Sequence, residues 1–235
     1  MALRRFIWLP ITTLVVTVAV VGLVWLATAG EPPQSSSESV PTSTSEPVAD
    51  METVARQQLD ELDVKGKAGS GGYSREAFGD AWSNNQGLAS IESACDTRNA
   101  VLAQRADYLA LDDDGCTVTW GVIYDPYSDT TVDFNRGDGT IEIDHVVSLS
   151  NAWNTGAFQW DEQKRREFAH DPDNLIPTLT ELNRQKGAGD AATWLPPHKA
   201  YRCEFASTQI GVKHKYGLWV APAEREALLR QLETC

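Results

Sequence analysis

The apolar positions of the 235-residue chain change rhythm several times, and each rhythm predicts a different kind of element. From Phe6 to Ala29 they form an unbroken run without charge, preceded by Arg4 and Arg5. About 20 such residues suffice to cross a bilayer as a helix, and the flanking arginines predict that the rest of the chain is sent outward. Residues 1–30 are thus a signal peptide or a transmembrane anchor. Ala27-Thr28-Ala29 would serve as a cleavage site, while the length of the run favours a retained anchor, and the two stay open. Residues 31–50, rich in Ser, Pro, Thr and Glu and free of aromatics, predict a disordered spacer, because such a segment buries too little surface to offset its ordering entropy. A globular domain over 51–235 follows.

Inside that domain the periods alternate. Val54, Leu59 and Leu62 predict a short helix over 51–64, and Tyr73 to Trp82 a second one, capped by Ser74 with Phe78, Ala81 and Trp82 inward. A third is expected to start at Asp96-Thr97-Arg98-Asn99 and run through Val101, Leu102 and Leu109. Cys116 to Tyr124 alternates and is β-branched; with the turn Asp125-Pro126-Tyr127-Ser128-Asp129 and the return over Thr130 to Phe134 it predicts a hairpin. Ile141 to His145 reads as a short strand. Helices are expected over 148–153, 161–168, 180–187 with a glycine C-cap, 201–216 and 222–234. The fold class is α+β, a small antiparallel sheet with helices packed around it.

Charge sharpens this picture. A formal net charge of −13 speaks against a broad phosphate-binding surface, but Arg136 to Cys235 holds 12 basic and 14 acidic side chains, so the second half is nearly neutral. The clusters Lys164-Arg165-Arg166 and Lys213-His214-Lys215 are expected to be solvated helix faces rather than a DNA footprint. Cys95, Cys116, Cys203 and Cys235 lack Cys-x-x-Cys spacing, which disfavours zinc; in an exported chain they are disulfide partners. Of the three pairings possible, Cys95 with Cys116 and Cys203 with Cys235 each close a modest loop.

The candidate chemistry lies between residues 140 and 190. Asp144-His145 ends a strand, Asp171-Pro172-Asp173-Asn174 forms a turn, and Asn183 and Lys186 sit on a helix closed by Gly187. That ordered set resembles the HNH (ββα-metal) nuclease motif in its variant with Asn as the last member. With Val146 to Leu149, Asp190 and Trp194-Leu195-Pro196-Pro197, the wider stretch is similar to exported actinobacterial HNH endonucleases related to the C-terminal nuclease domain of GmrSD restriction enzymes.

The resemblance implies an exported endonuclease that hydrolyses nucleic acid, DNA foremost, with little sequence preference. Asp144 would hold a divalent metal and His145 would act as general base, its ordinary pKa being suited to that task. Asn183 would be the second metal ligand, a hard donor suited to Mg²⁺ or Mn²⁺. Asn174 would fix the loop that orients His145. Lys186 either steadies a phosphate or is a surface lysine, and Arg98 either lies near the site or makes a structural salt bridge. His170, His198 and His214 match no motif position and are expected on the surface. Two rival readings remain: a non-catalytic cell-envelope binding module on a nuclease-like scaffold, and a hydrolase of another phosphodiester.

Overall fold

A computed structural model describes residues 46–82 and 95–235; the apolar run and most of the spacer lie outside the described residues. The described residues form one compact unit. Among the described residues no helix is long and apolar enough to cross a membrane.

Helix α1, Glu46–Glu61, begins inside the stretch whose composition reads as spacer, because Pro47 is tolerated in a first helical turn and Ala49 favours a helix once the following turns are packed. Ala55, Leu59 and Leu62 bury one face against Ile210 of α6 (Arg202–Tyr216) and Leu228 and Leu232 of α7 (Pro222–Leu232). A parallel bridge between Val64 and Val220 closes this corner.

The sheets are antiparallel. Strands β1 (Ala106–Leu111), β2 (Val118–Asp125) and β3 (Thr130–Asn135) form one, in the order β1-β2-β3; β4 (Ile141–His145) and β5 (Leu175–Leu179) form the other. The β2–β3 hairpin and β4 fall where the alternation places them. Against them pack α2 (Thr97–Arg105), whose Asp96 cap accepts from Asn99 N, and the core of Val101, Leu102, Ile123, Phe134, Ile143 and Leu175. Between β4 and β5 run α3 (Leu149–Asn154) and α4 (Glu162–Ala169), and α5 (Thr180–Lys186) follows β5 directly. The architecture is α+β, as the sequence predicts.

Three expectations are corrected. The helix expected through Leu109 stops at Arg105, and Ala106 to Leu111 pairs instead with β2, whose backbone groups would otherwise lack partners on that side. The helix expected over Tyr73 to Trp82 is a single 3₁₀ turn, Glu76–Phe78; Ser74 Oγ does accept from Ala77 N, but Gly79 at φ 87° ends the coil. Strand β5 is not anticipated at all, although it is the partner of β4 along its whole length, from Ile141 opposite Leu179 to His145 opposite Leu175. Disulfides join Cys95 to Cys116 and Cys203 to Cys235.

Candidate active site

Adjacent strand residues point to opposite faces, yet Asp144 and His145 are both buried. The strand resolves this by ending at His145, and the chain bends at Val146 and Val147. Asn174, with no exposed surface, holds the bend: Val147 N donates to its Oδ1 at 2.7 Å, its Nδ2 donates to Val147 O at 3.2 Å, and Val146 N donates to Asn174 O. The turn that delivers Asn174 is built by Asp171, whose carboxylate accepts from Asp173 N, and by Pro172 at the first helical position.

His145 Nε2 lies 2.8 Å from Ala169 O. A carbonyl only accepts, so Nε2 carries the proton and Nδ1 is the basic nitrogen. The indole of Trp82 stacks on the ring, with centroids 5.9 Å and planes 14° apart. Trp82 has φ 56°, a left-handed conformation costly for a bulky residue. Burial, with the charges of Arg75 and Lys186 adding to it, pulls the imidazole down to about 3, so it is neutral at physiological pH.

Asp144 is held from two sides. Tyr127 donates its hydroxyl to Oδ2 at 2.7 Å and Lys186 Nζ donates to Oδ1 at 2.9 Å. Burial pushes this carboxyl up, and both donors oppose the rise. Tyr127 comes from the turn that the sequence reads as plain. Its ring is enclosed by Trp194, Tyr201 and Phe205, and its backbone N–H donates to Asp125, which in turn accepts from Thr178 of β5.

Asn183 stands one helical turn before Lys186 on α5. Its Nδ2 donates to Glu142 Oε2 at 2.8 Å, which identifies Oδ1 as the accepting end of the amide. Asp144, His145 and Asn183 front one cleft of about 410 Å³, together with Tyr73, Arg75 and Arg184. Arg75 is exposed and makes no ion pair among the described residues, so its guanidinium is available to a ligand. It sits outside the motif stretch and the sequence reading misses it. Only its helix-breaking surroundings, between Ser74 and Gly79, set it apart in the sequence.

Two other candidates lie elsewhere. Lys186 is neither a surface lysine nor exposed to the cleft: its side chain is fully buried, and its ammonium also donates to His145 O at 2.8 Å. Arg98 donates to Ile141 O at 3.3 Å, at the opposite end of β4 from His145, and does not line the cleft. His170, expected on the surface, is buried and lines a second recess with Trp82 and His145. His214 is partly exposed beside Glu61, and His198 is largely covered, with Nδ1 3.1 Å from Pro126 O.

The donor set suits a hard cation. Among the described residues no three His, Cys, Asp or Glu side chains cluster as a metal cage. A cation that keeps most of its waters needs few protein ligands, and an ionised carboxylate offers about four lone-pair directions, two of which Tyr127 and Lys186 use. In chemistry the Asp144 carboxylate and the carbonyl oxygen of Asn183 are the hard oxygen donors that Mg²⁺ or Mn²⁺ takes.

Residues 96–231 match the family model described as GmrSD restriction endonucleases, C-terminal domain. An "Uncharacterized secreted protein" of Arthroderma benhamiae is 35% identical over 198 residues, covering 83% of this chain and 90% of that one. No solved structure matches. With more than half of the chain inside the family match, and the motif residues from Asp144 to Lys186 within it, the chain belongs to the family of the GmrSD restriction endonuclease C-terminal domain.

Proposed function

We propose that the protein is an exported, metal-dependent endonuclease that hydrolyses phosphodiester bonds of nucleic acid, DNA foremost, with little sequence preference. The observation that carries the reading is the convergence of Asp144, His145 and Asn183 on one cleft, with the His145 tautomer fixed by Ala169 O. Membership in a restriction-endonuclease family supports it.

In this reading His145 Nδ1 takes the proton of the attacking water. Burial makes the free ring a weaker base than the ordinary imidazole value expected from the sequence, and the negative charge of a bound phosphate would raise its affinity for that proton. Asp144 and Asn183 would hold one divalent cation, which when bound would supply charge stabilisation to the phosphodiester. Tyr127 and Asn174 fix the carboxylate and the bend, and Arg75 grips a phosphate at the cleft wall. Two disulfides, and a relative whose name describes it as secreted, support a location outside the cytoplasm.

Supercoiled plasmid incubated with the protein and Mg²⁺ should be nicked, and excess EDTA should stop the reaction. Equal activity in EDTA, or none with Mg²⁺ or Mn²⁺, refutes the proposal. RNA and a small phosphodiester, run in parallel, define the substrate class.

A further inference from the structure

A carboxylate that binds a cation ordinarily brings its negative charge to the site, but the charge of Asp144 is already matched. The Lys186 ammonium lies 2.9 Å from Oδ1, is held a second time by His145 O at 2.8 Å, and has no exposed surface through which to leave easily. The other groups at this point bring no surplus of negative charge. Asn183 is an amide and brings no charge of its own. Glu142, whose Oε2 orients Asn183, shares its Oε1 with Arg184 at 3.3 Å. Arg75, at the cleft wall, adds a positive charge that the neighbouring Glu76 partly offsets. A divalent cation entering the cleft therefore meets a field that is close to neutral.

We infer that Lys186 is a positioning residue which suppresses the cleft's own affinity for a divalent cation, so that cation and phosphate backbone bind as a coupled pair. The inference rests on the nuclease reading of the same site. The phosphate supplies the negative charge that Asp144 has lost to Lys186, and the cation supplies the counter-charge that the backbone needs. Such coupling is reciprocal: by whatever factor nucleic acid tightens the cation, the cation tightens nucleic acid. Lys186 also keeps Asp144 in place when no cation is bound, because a buried carboxylate without a partner is strongly destabilising.

Mn²⁺ binding to the full chain, followed by electron paramagnetic resonance, tests this without reference to cleavage. His145→Ala retains Asp144, Asn183 and Lys186 and is used so that DNA is cut too slowly to matter during the measurement. After correction for Mn²⁺ taken up by free DNA, an oligonucleotide duplex should tighten Mn²⁺ binding about tenfold or more. Lys186→Gln without DNA should bind Mn²⁺ about tenfold tighter or more than the parent, as removal of a unit charge beside the ligand requires. Equal affinity with and without DNA overturns the proposal, as does a folded Lys186→Gln that binds no tighter. If Lys186→Gln does not fold, the DNA experiment, which keeps Lys186, decides alone. Asp144→Asn and Asn183→Ala separate the two levels. If neither changes Mn²⁺ binding, the metal assignment itself falls. If both weaken it while DNA has no effect, only the coupling falls.

Discussion

An imidazole with one nitrogen tied to a carbonyl can act only through the other, and that restriction makes His145 testable by itself. Replacement by Ala should lower cleavage by about 10² to 10⁴ while leaving Mn²⁺ affinity nearly unchanged, measured on supercoiled DNA and by spin resonance. Acid stability follows from the same burial. Arg75, Lys186 and His170 all bear on the ring, and its pKa of about 3 lies below the unfolded value of 6.5. Between these limits the unfolded chain takes up a proton that the native protein refuses. Stability is therefore full above about pH 6.5 and falls toward pH 3, with a limiting slope of about 1.4 kcal/mol per pH unit from this group. Thermal unfolding of wild type and His145→Ala between pH 7 and 5 should show a steeper loss in the wild type, and parallel curves would refute the assignment. The motif residues are legible in the sequence because their chemistry and order are both local. Tyr127 and Lys186 touch Asp144 across 17 and 42 positions, so their partnership exists only in the fold. A lysine read along one helix looks solvated; its burial is decided by the strand beneath it.

Helices and strands place these side chains, and two small devices hold the elements in position. Asn174 exchanges two hydrogen bonds with Val147. Asn174→Ala leaves a buried N–H and C=O without those partners, and should reduce cleavage about 10- to 100-fold with little effect on Mn²⁺ affinity. Cleavage at the parental rate would show that the bend holds itself. The Cys203–Cys235 bridge closes 32 positions, linking the first turn of α6 to the end of the chain beyond α7. Replacing both cysteines by Ser should cost about 4 kcal/mol by loop-closure entropy, read as a shift of the denaturant midpoint. Most helices were legible from period and caps, since each cap is local: Asp96, Ser148 and Asp161 all accept from the backbone three residues on. Strand β5 was not, because Pro177 sits in its middle and five residues after a turn carry no clear alternation. In a two-stranded sheet proline is tolerated wherever its missing N–H would face away from the partner.

At the level of the whole molecule, the basic clusters are consumed internally. Lys213 is buried against Glu224 rather than solvated, Lys215 bridges Asp171 and Asp173, Arg166 pairs with Glu162, and Arg165 donates to Ala77 O and Trp160 O. What remains beside the cleft is Arg75 and the loosely paired Arg184. Affinity for duplex DNA should then depend only mildly on salt, with a log–log slope near −2 for two phosphate contacts. A slope steeper than about −5 would reveal an interface elsewhere. The net charge of −13 was legible from composition, but its pairing was not, because each partner is supplied by another element. One further consequence concerns Tyr73, Arg75 and Trp82, which line the cleft or brace His145 yet precede residue 96, where the family match begins. The Arthroderma benhamiae relative matches 83% of the chain, a span that includes these three positions, so the cleft wall lies outside the family's stretch but inside the wider likeness. A change at Tyr73 or Arg75 would thus alter what the cleft admits without touching Asp144, His145 or Asn183.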